Sequence, residues 1–76
     1  MKRYISYDVK VGNDYTKLYN YLEEISATKI TESTYSANVT LNLDDFAAKL
    51  KSVTSAGDSL VIITYNNDGM FHRKVR

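Results

Sequence analysis

The sequence has no cysteine. Disulfides and thiolate metal sites are therefore excluded as sources of stability. It has a single histidine, His72, so no multi-histidine site can form within one chain. The lack of cysteine suits a reducing cytoplasm, which is the expected compartment. No apolar run approaches the ~20 residues that span a bilayer, and no signal-peptide pattern opens the chain. A membrane partner is not expected. Proline is absent and glycine occurs only three times, so few positions announce a turn. Charge of one sign is also scarce. The formal net charge of +1 argues against polyanion binding by bulk electrostatics.

What is present fits one domain, residues 1–76. So short a chain buries a modest share of its surface and gains from association, so a homodimer is expected. Lys2, Arg3, Arg73, Lys74 and Arg76 crowd the two ends of the sequence, and no acid follows Asp68. If these ends meet in space they make a basic patch. Alternatively they only keep a small protein soluble.

Residues 3–11 alternate as a strand does: Ile5, Tyr7, Val9 and Val11 on a core face, Tyr4, Ser6, Asp8 and Lys10 on the other. Gly12 and Asn13 break the run. Asn13 or Asp14 can then cap a helix over 14–26, whose buried stripe is Tyr15, Leu18, Leu22 and Ile25. Tyr19 and Tyr21 flank that stripe. Residues 28–41 favour strand and are too long for one, so two short strands meeting near Glu32–Thr34 are expected. Asn42 followed by Asp44 and Asp45 marks the start of a second helix over 43–56, with Leu43, Phe46, Ala47, Leu50 and Val53 inward and Gly57 as its terminator. Leu60–Tyr65 is apolar on both faces, Asn66–Gly69 is a turn, and Met70–Val75 returns as a short basic strand.

This order predicts an α+β, ferredoxin-like βαββαβ sandwich with an extra C-terminal strand and both helices on one sheet face. The other face would then carry half of Leu60–Tyr65 together with Tyr4. A small monomer rarely exposes such a patch, so a second copy or another partner is expected to cover it. Alternation puts Asp8 on that same face. An Asp adds nothing to strand propensity. Either it marks a fraying end or its charge is used.

Several stretches carry a family resemblance. "YISYDV" resembles the first strand, and "DYTKLYNYLEE" the first helix, of the small CRISPR-associated adaptation proteins (the second Cas protein) and the VapD-like ferredoxin-fold superfamily. "TESTYSANV", "NLDDFAAKL" and "GDSLVIITY" resemble their middle strands, second helix and fourth strand. The resemblance implies a dimer in which Asp8 faces its symmetry mate and holds a divalent cation such as Mg²⁺, with Asp8 as the catalytic residue of an endonuclease acting on RNA or DNA. That family mixes nucleases with non-catalytic scaffolds.

Three functions stay open at this point. One is a metal-dependent endonuclease of a mobile-element or phage-defence system. Another is a nucleic-acid-associated scaffold. A third is a phage- or plasmid-encoded interaction module that inhibits a host defence or toxin–antitoxin factor, for which the seven tyrosines are suited. Residues expected to contact nucleic acid or a partner are Lys2, Arg3, Tyr4, Ser33, Tyr35, Tyr65, Arg73, Lys74 and Arg76. In a half-buried strand Ser33 and Tyr35 are more often packing residues, and His72 is expected to be a surface residue on the last strand.

Overall fold

The computed structural model describes Met1–Arg76. The elements are β1 (Lys2–Asp8), α1 (Thr16–Glu24), β2 (Thr28–Thr31), β3 (Thr34–Asn38), α2 (Leu43–Ser52), β4 (Ser59–Asn66) and β5 (Gly69–Lys74). The five strands form one sheet in the order β2-β3-β1-β4-β5, and every neighbouring pair is antiparallel. The chain is thus α+β, with two helices and a five-stranded antiparallel sheet, an arrangement compatible with a ferredoxin-like fold. No helix is long and apolar enough to cross a membrane.

The core lies on one face of the sheet. Ile5 is opposite Ile62 and Tyr7 opposite Leu60, so these four side chains share that face. Leu18, Tyr21 and Leu22 of α1 and Phe46, Ala47 and Leu50 of α2 join them in one buried cluster. Both helices therefore pack on the same side. Truncating any of the larger of these side chains to Ala should cost about 2–5 kcal/mol, the transfer loss plus the cavity left behind.

Helix ends follow local chemistry, with two departures from expectation. Asn42 caps α2 as expected, its Oδ1 accepting the Asp45 N–H at 2.8 Å. Asp44 and Asp45 lie in the first turn and Lys49 and Lys51 in the last, each favoured by the helix dipole. The helix ends at Ser52 rather than at 56, and Gly57 lies beyond it with φ +93° in the loop to β4. At the start of α1, Asp14 accepts a free N–H of the first turn as expected, its Oδ1 taking the Thr16 N–H at 2.8 Å, although the helix begins at Thr16 rather than 14. Tyr15 holds the cap position without a side-chain bond. Asn13 is instead drawn to Ala56 O and Asp58 across the molecule. Tyr15 consequently stays exposed, and Tyr21 takes its place in the core.

The C-terminus of α1 closes in a Schellman motif. Ala27 N–H donates to Leu22 O at 2.9 Å and Ser26 N–H to Glu23 O at 3.0 Å. Ser26 occupies the left-handed position at φ 56°, where a non-glycine residue is strained.

Strand ends are set by partners. β1 stops at Asp8, not Val11, because β3 begins opposite Ser6 and β4 opposite Asp8. Val11 has no neighbour strand and is 97% exposed. The region 28–41 splits at Glu32–Ser33 as expected, and β3 ends at Asn38. Both β1 and β5 run antiparallel to β4, hence parallel to each other. Lys2 and Arg3 therefore sit at one end of the sheet and Lys74 and Arg76 at the other. The two ends of the sequence do not combine into one basic patch.

Candidate functional site

The sheet face turned away from the helices is uncovered. Register aligns Tyr4, Ile63 and His72 in one row across it, and Ser6, Val61 and Lys74 in the next. Tyr65 and Met70 make a third row at one end. Val61 and Ile63 are half-buried, while Tyr65 and Met70 keep 59% and 55% of their surface exposed. Two regions with different chemistry result.

The first region is aromatic. The Tyr4 and Tyr65 rings meet edge to face with centroids 5.6 Å apart. Lys2 Nζ lies 5.6 Å from the Tyr4 centroid, a cation–π distance. The second region is polar. A shallow depression of about 630 Å³ is lined by Ser6, Asp8, Ser33, Val61, His72 and Lys74, among others.

Asp8 is the last residue of β1, opposite Ser59, exposed on this open face. It takes part in neither ion pair of the chain. No group of three His, Asp or Glu side chains is placed to hold a metal. Its companions in the depression are the Lys74 ammonium, an imidazole and hydroxyls. Mg²⁺ is usually held by one or two carboxylates or by substrate phosphates with several waters, and Asp8 is the sole carboxylate lining the depression. One chain thus offers a single carboxylate toward the divalent cation that the family resemblance implies.

Of the expected contact residues, Lys2, Tyr4, Tyr65 and Lys74 share the open face with Asp8, and Ser33 is exposed at its rim. Four others make their contacts elsewhere. Arg3 has the parity of Ile5, and is buried on the helix side. It donates from Nη1 to Thr64 Oγ1 at 2.6 Å, while its Nε has no partner. Tyr35 faces the same way and stacks on Tyr7 at 6.0 Å. Arg73 pairs with Asp44 at the start of α2. Arg76 closes the other end of that helix, donating from Nε to Thr54 Oγ1 at 2.9 Å and from Nη2 to Lys51 O at 3.2 Å. That arrangement suits a cation at a helix C-terminus. All four make contacts within the fold, while the Arg73 side chain keeps 42% of its surface exposed and Arg76 also lines the depression.

Two polar clusters have no counterpart in the sequence reading. Asp58 is 6% exposed and accepts from Lys10 N–H at 2.8 Å, Asn13 Nδ2 at 2.9 Å and Ser55 N–H at 2.9 Å. Burial alone would raise its pKa. The hydrogen bonds from Asn13, Ser55 and Lys10, helped by Arg76, outweigh burial and hold the carboxyl below the usual range. The second cluster is Tyr7, Tyr19 and Tyr35. The Tyr7 hydroxyl lies 3.1 Å from that of Tyr19 and donates to Glu32 O at 3.2 Å. Burial, reinforced by Tyr19 and then Tyr35, pushes the Tyr7 phenol well above its ordinary value. Nothing local hinted at either cluster, since Lys10 and Asn13 reach Asp58, and Tyr19 and Glu32 reach Tyr7, from distant parts of the sequence.

No family model matches the chain, and no curated protein or solved structure matches it either.

Proposed function

We propose that the protein is a nucleic-acid-associated binding module that takes single strands on the open face of its sheet. The observation that carries this reading is the Tyr4–Tyr65 pair on the open face, Tyr4 half-buried and Tyr65 exposed, with Lys2 beside it. Every base has a π-face, so aromatic rings on a sheet hold single strands with little sequence preference. His72 and Lys74, in the next rows, place an imidazole and an ammonium on the same face, where a strand's phosphates would pass. The fold reading belongs with this. The strand order is what a ferredoxin-like βαββαβ sandwich with one strand added beside β4 would have, and such a sandwich leaves one sheet face free. The resemblance to CRISPR-associated and VapD-like proteins points the same way and suggests a mobile-element or defence setting.

The cations on the face are few, so the affinity should rest more on stacking than on charge. For two or three phosphates neutralised, log K should fall with log[salt] at a slope of about −1 to −2.

Fluorescence anisotropy with labelled single-stranded RNA, single-stranded DNA and duplex DNA tests the proposal. Single strands should bind more tightly than duplex. Tyr65→Ala should weaken binding by about tenfold or more, the worth of one stacked base, with the melting temperature nearly unchanged. Preference for duplex, or an unchanged affinity in Tyr65→Ala, overturns the reading. In that case the interaction-module alternative, in which this face docks a protein, takes precedence.

A further inference from the structure

The two edges of the sheet are not equivalent. β2 is four residues long and its ladder to β3 carries a register shift between Lys29 and Thr31. Short, irregular edges of this kind resist pairing with another chain. β5 is six residues long, pairs with β4 without a shift, and contains no proline. All six of its residues are exposed. β5 is therefore the longer and more regular edge, its guards being the charges of Arg73 and Lys74 alone.

The hydrogen-bond alternation of β5 can be assigned. Val75 N–H donates to Leu60 O at 2.8 Å, so the residues of Val75's parity, Arg73 and Phe71, turn their backbone groups inward to β4. Met70, His72 and Lys74 turn theirs outward. A row of free N–H and C=O groups at alternate positions is a template for one more strand.

The side chains of β5 suit a second copy of the same strand. Antiparallel pairing about a two-fold axis at His72 sets His72 opposite its own mate. It also sets Met70 opposite the Lys74 position and Phe71 opposite the Arg73 position. No Lys or Arg then faces another, which is the arrangement like charges require. A cation instead meets an aromatic ring or a thioether in each of the flanking pairs. Met70, His72 and Lys74 also complete both backbone bonds at each of three pairs.

We infer that the chain self-associates edge to edge through β5, joining two five-stranded sheets into one continuous sheet. A two-fold axis perpendicular to the sheet keeps both open faces on the same side. The inference does not rest on what those faces bind, and it differs from a dimer that stacks open face on open face.

Sedimentation equilibrium of the full chain across a concentration series, with amide hydrogen exchange, tests it. A dimer is expected, with the amides of Met70, His72 and Lys74 protected at high concentration and exchanging faster on dilution. Met70→Lys introduces two symmetry-related like-charge pairs and should weaken the dimer by about three- to tenfold. Met70→Glu creates two opposite-charge pairs and should tighten it by a similar factor, an effect that high salt removes. His72→Pro removes only an outward N–H and should give a monomer. If that variant proves unfolded by circular dichroism, the Met70 pair alone decides the matter. A chain that stays monomeric at ~100 μM, weaker than a useful Kd, overturns the inference. So does a dimer that Met70→Glu weakens, the outcome for open faces stacked together. Nucleic-acid binding by a chain that stays monomeric would sink this inference and leave the proposed function standing, and the reverse result would do the opposite.

Discussion

The carboxylate of Asp58 accepts the backbone N–H of Lys10 at 2.8 Å and ties the loop after β1 to the loop before β4. The same oxygen also takes Asn13 Nδ2, and the other takes Ser55 N–H. Removing the carboxylate strands three donors in a mostly buried place. Asp58→Ala should cost about 2–4 kcal/mol, which urea denaturation would read as a lower midpoint at unchanged slope.

The acid limb of stability follows from the same residue. The pKa of Asp58 is lower in the folded chain than the ordinary carboxylate value. The unfolded chain therefore binds its proton first as pH falls. The stabilisation is complete above about pH 4–5 and is lost as the pH drops below that range. Melting temperatures measured from pH 7 to pH 2 should fall steeply for the natural chain and less steeply for Asp58→Ala.

Tyr7 governs the opposite limb. Its phenol is held protonated by burial, so the folded chain keeps a proton that the unfolded chain releases near pH 10. Its contribution is present below that pH and declines as pH rises above it. Tyr7→Phe loses the bond to Glu32 O, which should cost about 1 kcal/mol at neutral pH. The variant should also lose less stability than the natural chain between pH 10 and pH 12. An equal alkaline loss in the two proteins would place the sensitive group elsewhere.

Ser26 offers a gain rather than a loss. It sits at φ 56° at the C′ position of α1, exposed and bonded only through its backbone N–H. Glycine adopts that conformation without the Cβ clash. Ser26→Gly should stabilise the protein by about 0.5–1 kcal/mol, read as a rise in melting temperature of several degrees. The unchanged backbone bonds to Glu23 O and Leu22 O make the effect conformational.

Asp8 stands on the proposed binding face as an exposed acid among Ser6, His72 and Lys74. Asp8→Asn removes a charge that repels phosphate. Affinity for single strands should rise by about two- to fivefold at low salt, with little change in stability. An Mg²⁺-dependent cleavage present in the natural chain and abolished by this substitution would instead assign the residue the catalytic role that the family resemblance implies.

Much of this architecture is legible in residue order. The alternation of Ile5 and Tyr7, the Asn42 cap and the Asn66–Gly69 turn are local signals, and the structure follows each. The parity that buries Ile5 also buries Arg3, so its absence from the open face was available from spacing alone. The placements of Arg73 and Arg76 were not. Each depends on how α2 lies over the sheet, and no local pattern encodes a helix crossing. Asp58 was hidden for a related reason, since two of its donors come from Lys10 and Asn13, far away in sequence. An end of α1 near Ser26 was expected, and the helix stops at Glu24; the left-handed backbone of Ser26 was not, because serine does not advertise that conformation.

The sheet order has a consequence for how the molecule comes to be folded. β1 is made first yet sits between β3 and β4, and Tyr4 waits for Ile63. Until β4 leaves the ribosome, the first strand lacks its partner on one side and half the core floor is missing. No early segment can settle as an independent unit. Assembly should therefore be a single late event with high contact order, in the millisecond-or-slower range. A stalled chain ending before Leu60 would remain open to proteases along its whole length.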